Sequence, residues 1–532
     1  MNTIKKNILF SLVIFLLFFT FCELTFRIFS PPGAPSFIER RIIEEKITTK
    51  KAPNEIRIFL FGESTMHGSN LYPKSTIKKW MDLYLEQIIG KENARQVKVF
   101  NFGKPGANST FIASGFAQTL PYKPDIVVFY SAHNDLHRNR IIHGGVPFSE
   151  KIDTFFSELT RKSCFISFFN RLHVYRRMLR HKKDDKKSKY SEGFRYVEID
   201  RRISEREKQK VDEQSKAFQK LINNWTKNIQ RIIRLGQKNN IPIIFFEGVA
   251  NFKQFGPYES VHQKGMSAEQ LRIWEALDKR ADKLFTDGKY EQASKIYNEC
   301  LNLDDKFAKT YYRLGQCYEN LGYYKKANEC YKLSNDYDHF PSRAHSFVNR
   351  FYEDVLVEDL NTIHIIKTQE LFEQNAPHGI VDTTLTSDPV HPTIKGQSLM
   401  ASAILGMIYE EKLLPADITW HWDKTPSSYL ELYDRLEIDD EFLFFSYLNT
   451  AKYMSPRYHD AAIENVEKAL SIDSDSLTAQ RLLAWILWLK GEKEKALSKY
   501  KELYKKAPDT MEKVFIKYPQ IKKQLIQEEK IN

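Results

Sequence analysis

Cysteine is scarce and unpatterned in this chain. There are five, Cys22, Cys164, Cys300, Cys317 and Cys330, an odd number at irregular spacing with no CxxC pair. That argues against zinc and dithiol redox motifs and against a disulfide framework. The last three fall in a helical stretch, where a free cysteine acts as a small buried apolar residue. No nucleic-acid fold signature accompanies the formal net charge of +12. The basic excess therefore points to an anionic membrane surface or an acidic polymer, and no nucleic-acid partner is expected. A small-x-small cleavage site is also missing after the N-terminal apolar run: Phe19, Thr20 and Phe21 stand there, and Phe21 before Cys22 departs from a lipoprotein site.

What is present bounds the class. The 532 residues suggest three to four structural units at roughly 100–200 residues each, and 42% hydrophobic residues with 13% aromatics can fill a sizeable core. Lys5 and Lys6 precede the apolar run Ile8 to Phe21, and Glu23 and Arg27 follow it. Lysines ahead of a span and a large domain behind it place that domain outside the cytoplasm. Residues 1–30 are thus expected to form an uncleaved single-pass anchor; a cleaved signal is the alternative and gives the same compartment.

After the linker signal Pro31-Pro32-Gly33 the texture is strand, loop, helix. Dense apolar runs at 56–61, 97–101, 125–130 and 241–246, with a weaker one at 363–366, read as buried strands. Helical patterns lie between them, as at 77–89 and 214–237. Buried strands alternating with helices imply an α/β fold with a parallel sheet. The segment 150–240 is charged and mostly helical, and it includes a basic stretch from Arg176 to Lys189 that reads as a solvated loop or as a contact for anionic headgroups or glycans.

Between the fourth and fifth strands a repeat appears. Gly288-Lys289-Tyr290-Glu291-Gln292-Ala293 returns 34 residues later as Gly322-Tyr323-Tyr324-Lys325-Lys326-Ala327, with Tyr297 and Tyr331 at the same offset. Near the C-terminus Ala462 and Ala496 are also 34 apart, followed by Val466 and Tyr500, with Pro508 where such a unit ends. Both pairs resemble tetratricopeptide (TPR) repeats, in which small residues let two helices approach and large ones fill the groove. Such arrays imply a protein partner.

Four short segments could carry chemistry. Ser64 follows the first strand in Phe61-Gly62-Glu63-Ser64-Thr65, where α/β folds expose their sites. Gly103 and Gly106 follow the second strand in a loop that allows close backbone approach. Asn134 follows the third strand and offers an amide to a developing oxyanion. Asp388 and His391, three apart and flanked by Pro389 and Pro392, can face one pocket, the carboxylate fixing the imidazole tautomer.

In order, these segments resemble the blocks of the SGNH (GDSL-like) hydrolases. Gly62-Glu63-Ser64 is similar to the nucleophile block in a G-E-S form, Gly106 to the second-block glycine, Asn134 to the third-block asparagine and Asp388-x-x-His391 to the closing motif. The resemblance spans roughly residues 52–265 and 336–412. It implies a flavodoxin-like three-layer α/β/α sandwich, catalytic Ser64, Asp388 and His391, and an oxyanion hole from Ser64, Gly106 and Asn134, with no cofactor or metal. Ala132 departs from the glycine many members have, and Gly103 competes with Gly106. The expected organisation is an anchor over 1–30, a hydrolase domain over 31–266 with a basic helical insertion at about 150–213, inserted TPR-like repeats over 267–335, the second hydrolase part over 336–413 and a C-terminal TPR-like domain over 414–532. The implied activity is hydrolysis of an O-acyl ester of an extracytoplasmic glycan or lipid. An O-acyltransferase on the same triad, or a TPR scaffold in an envelope complex, are the alternatives.

Overall fold

A computed structural model describes Phe18, Thr20, Phe21 and residues 36–94, 96–135, 216–339, 343–356, 362–415, 418–424 and 428–527. The anchor expected over 1–30 lies outside them except for those three residues. The basic stretch from Arg176 to Lys189, the insertion at 150–213, Cys22 and Cys164 lie outside them entirely. Among the described residues no helix is long and apolar enough to cross a membrane.

Five parallel strands form one sheet: β1 (Ile56–Gly62), β2 (Val97–Asn101), β3 (Ile126–Tyr130), β4 (Ile243–Phe246) and β5 (Ile363–Ile366), in the order β2-β1-β3-β4-β5. Their registers pair Phe59 with Phe100 and with Val127, and Phe245 with Ile365. The strands are buried almost throughout, with Lys98 of the edge strand β2 the exposed position, because helices cover both faces of the sheet. Helices α1 (Phe37–Glu44), α2 (Ser64–His67), α3 (Ile77–Ile88), α4 (Ser109–Thr119) and α5 (Lys216–Lys238) follow the chain to β4. Helix α1 starts on a capping box between Ser36 and Glu39. Helix α4 packs beside α5, and α3 lies against the later α12 (Ile394–Glu410). The high aromatic content is used between these layers. Phe61 stacks on Phe102 and Phe129 at 5.0 and 5.5 Å, and Trp225 of α5 meets Tyr352 at 5.6 Å.

Between β4 and β5 the chain builds α6 (Ala268–Thr286), α7 (Tyr290–Leu303), α8 (Ala308–Asn320) and α9 (Tyr324–Asp336), then α10 (Ser346–Leu356); α11 (Thr368–Gln374) follows β5. Ala293 and Ala327, the 34-residue pair, are fully buried. At Gly315 an added Cβ would come within 2.8 Å of the Tyr331 ring, so only glycine lets α8 and α9 close up. Cys300, Cys317 and Cys330 are free and buried, and burial pushes each thiol up to about 12. Beyond α12 come α13 (Asp440–Met454), α14 (His459–Ile472), α15 (Leu477–Lys490), α16 (Lys493–Lys506), α17 (Pro508–Lys517) and α18 (Pro519–Gln527), with Ala462 and Ala496 buried in their shared core.

One loop joins these parts. After β4, Asn251 donates its backbone N–H to Pro389 O at 3.0 Å and its amide to Thr386 Oγ1 at 3.1 Å. Tyr312 of α8 donates its hydroxyl to Lys253 O at 2.7 Å. Phe255 is fully buried in the core of the C-terminal helices, against Tyr458 at 4.9 Å. The Asp338 carboxylate accepts from the N–H groups of Tyr258 and Glu259.

Candidate active site

The carboxyl ends of β1, β2 and β3 each deliver one of the anticipated segments to the same edge of the sheet, where open α/β sheets bind ligands. Ser64 opens α2, directly after β1, and is half-buried. The loop after β2 is tied down to α2: Asn101 donates its amide to Met66 O and accepts the N–H of Gly103, both at 2.8 Å. Gly103 is so close that a Cβ there would lie 2.5 Å from His67 N. The turn Lys104-Pro105-Gly106-Ala107 closes with Ala107 N–H donating to Lys104 O at 3.0 Å. Gly106 takes φ +71 in it, the left-handed value the third turn position demands after proline. Gly103 thus serves packing, and Gly106 sits next to the carbonyl that Asn134 contacts: Asn134 Nδ2 donates to Ala107 O at 2.9 Å. An amide nitrogen carries two hydrogens, so the second can serve a ligand.

Glu63 is fully buried, and its carboxyl accepts the backbone N–H groups of Ala132, His133 and Asn134 at 3.1–3.3 Å. It therefore fastens the segment after β3 to the residue before Ser64. Burial, reinforced by Asp135, pushes this carboxyl up from 4.5 to about 8 against the pull of those amides. Ala132, the departure from glycine, is itself buried and part of this clamp.

The Asp388–His391 pair lies in a tight hairpin. Ser387 N–H donates to His391 O at 2.8 Å and Thr393 N–H to Leu385 O at 2.9 Å, after which Thr393 caps α12. Asp388 is fully buried. Its Oδ2 meets His391 Nδ1 at 2.6 Å, and its Oδ1 accepts the N–H groups of Val390 and His391 at 2.9 and 2.8 Å. Burial opposes ionisation of this carboxyl, but His391 and these hydrogen bonds outweigh it and hold it below the usual range. The other nitrogen, His391 Nε2, is buried and makes no hydrogen bond among the described residues. Three contacts seat the hairpin on α2 and the turn after it: Thr65 Oγ1 donates to Val390 O at 3.4 Å, and Asn70 Nδ2 donates to Asp388 Oδ2 at 3.0 Å and to Ser387 Oγ at 3.2 Å. Ser64 and His391 are thus brought to one place, without a direct hydrogen bond between them; such bonds are often long before substrate binds.

Comparison with known proteins adds three findings. Residues 308–338 match the model of the tetratricopeptide repeat. No curated protein sequence matches the chain. Similar solved structures include a protein of Bacteroides fragilis NCTC 9343 assigned as an acylhydrolase (12% identity, 72% of this chain, 100% of that one, TM-score 0.30) and a GDSL-like lipase of Bacteroides thetaiotaomicron VPI-5482 (11%, 70% and 99%, 0.29). A third is an acetyl xylan esterase (13%, 66% and 100%, 0.28). This chain resembles the GDSL-like hydrolases. It also carries a tetratricopeptide repeat, in α8 and α9.

Three contributors escaped the sequence reading. Asn70 is a lone polar residue in a loop and carries no pattern. The reach of Glu63 to three amides depends on β1 and β3 being neighbours. Tyr453, on α13, places its ring edge-on to His391, centroids 5.7 Å apart at 76°, from a helix with no local link to the motif.

His133 gives the site a measurable acid sensitivity. Its Nε2 lies 2.7 Å from the Tyr130 hydroxyl, which also accepts the Val249 N–H, and its Nδ1 is buried without a partner among the described residues. Burial, then the nearby His391, drives it down from 6.5 to about 3. The unfolded chain therefore takes up this proton first, so stability from neutral His133 is intact above pH 6.5 and is lost as the pH falls below it. Between pH 7 and pH 5 the loss should be about 2 kcal/mol. Urea unfolding at both pH values checks this: the His133→Gln protein should lack that part of the decline.

Proposed function

We propose that this chain is a serine ester hydrolase in which Ser64, His391 and Asp388 act as nucleophile, base and orienting carboxylate. The observation that carries the reading is the Asp388–His391 couple, with Nε2 left without a partner among the described residues, in a hairpin fastened to the helix that Ser64 begins. Ser64 Oγ adds to the ester carbonyl while its proton passes to Nε2. The oxyanion that forms is held by the N–H groups of Ser64 and Gly106 and by the Asn134 amide. The bond to the alcohol oxygen then breaks, with His391 returning the proton to that oxygen. Water, deprotonated by His391, releases the acid from the acyl-Ser64. Among the described residues no group of three or more His, Cys, Asp or Glu side chains could hold a metal, and the steps above use none.

The substrate proposed is an O-acyl ester of an extracytoplasmic glycan, with a lipid ester second, and the helical arrays are proposed to hold a protein partner. Residues 1–30 would anchor the chain with the site outside the cytoplasm. Fluorophosphonate labelling of fractionated cells tests both parts. The label should fall on the Ser64 peptide and in the membrane pellet. Labelling elsewhere, or none, sinks the catalytic reading, and label only in the soluble fraction sinks the anchor.

A further inference from the structure

We propose that Tyr453, supplied by the C-terminal helical array, is a specificity-determining residue that binds the alcohol portion of the substrate, and that this portion is a sugar ring; the inference rests on the ester-hydrolase reading above. The direction of the proton carries the first half. His391 returns a proton to the leaving oxygen, so the alcohol must stand against the imidazole. Among the described residues Tyr453 is the aromatic ring that packs on that imidazole, and 55% of its surface is open.

Its placement is built into the fold. Helix α13 is fastened to the loop after α2 by Ser446 Oγ donating to Asn70 O at 2.8 Å, and the Asn70 amide in turn donates to Asp388. One residue therefore sets both the carboxylate behind His391 and the helix that carries Tyr453. The next residue, Met454, is buried in the C-terminal core, which holds that end of the helix still.

The chemistry of the open surface carries the second half. A phenol offers an apolar face and a hydroxyl at its tip. That suits a pyranose, whose C–H bonds can lie on the face while its hydroxyls meet the tip and water; an alkyl chain would gain nothing from the hydroxyl. A second phenol lies on the α2 side of the site. Tyr72 is 43% exposed, and its ring stacks at 4.5 Å on His67, three residues beyond Ser64. Arg41 lies 5.6 Å from its ring centroid and donates from Nη1 to its hydroxyl at 3.4 Å.

The test uses the full chain with two substrates followed by acetate release: a chemically O-acetylated cello-oligosaccharide, and methyl acetate, whose alcohol is too small to reach Tyr453. The wild-type chain should prefer the oligosaccharide. Tyr453→Ala should raise KM for it about tenfold with kcat nearly kept, and should lower the preference for the oligosaccharide over methyl acetate, read as the ratio of the two kcat/KM values, by a similar factor. Tyr453→Phe should retain most of the preference. An equal fall in kcat on both substrates would show that Tyr453 only steadies His391, and would overturn the inference. So would a wild-type chain that hydrolyses methyl acetate through Ser64 with no preference for the sugar ester, although the hydrolase reading would stand. Loss of that reading has a separate signature: hydrolysis of methyl acetate that survives Ser64→Ala.

Discussion

Replacing Ser64 with alanine should lower kcat for ester hydrolysis by roughly a thousand- to a million-fold, the range for a serine that works only with its base. The fold should not notice. Ser64 is the first residue of α2, but the cap position is Glu63, and no side-chain hydrogen bond closes that helix end. What the start of the helix needs from Ser64 is its carbonyl, which accepts from Gly68 and Ser69, and alanine supplies the same carbonyl. The melting temperature should therefore stay within about 1 °C, since a change that breaks no hydrogen bond and opens no core cavity rarely exceeds half a kcal/mol. His391→Ala should be about as damaging, and the double substitution little worse than either alone, because the two groups act as a unit. A Ser64→Ala chain keeping a tenth of its activity would end the reading of Ser64 as nucleophile.

Asp388→Asn should cost on the order of ten-thousand-fold in kcat, and the hydrogen bonds say why. Oδ1 accepts two backbone N–H groups, from Val390 and His391. An asparagine must keep its oxygen there, so its NH₂ takes the place of Oδ2. That NH₂ then faces His391 Nδ1 and the Asn70 amide, which now donates to Oδ2. Two donors oppose each other at Asn70, and the imidazole must accept at Nδ1, which puts its hydrogen on Nε2, the nitrogen that has to take the serine proton. The loss should fall on kcat, with KM nearly unchanged. Asn70→Asp introduced with Asp388→Asn would remove the donor clash and leave the tautomer wrong. It should therefore restore stability but not rate, as thermal melts and steady-state kinetics would show.

Much of the scaffold was legible in the sequence because its strands are buried on both faces. The runs at 56–61 and 97–101 became β1 and β2 within a residue, and even the weak run at 363–366 became β5 unchanged. The 34-residue spacing of Ala293 and Ala327 was legible for a similar reason: helix contact admits only a small side chain there. Ser64, Asn134, Asp388 and His391 could be named because each sits at a fixed place relative to a strand or a helix start. What stayed hidden depends on which strands are neighbours and on where a distant helix docks. Nothing local marks Glu63 as the acceptor for three amides of the loop after β3. Asn70 is one asparagine among many until Asp388 and Ser446 arrive from more than 300 residues away.

Phe255 draws a border that the chain's linear order conceals. Its backbone leaves the sheet with β4, yet its ring is fully buried among the helices beyond residue 440. Its near neighbour Asn251 holds the hairpin of His391. Exchanging the C-terminal helices between related chains at a seam near residue 413 would leave a benzyl-sized hole in the incoming core. It would also leave a bare phenylalanine on the remaining α/β part. A graft that respects the molecule has to carry the stretch after β4 along with the helices. In recombination or engineering, then, the candidate site and the C-terminal array travel as one inherited piece.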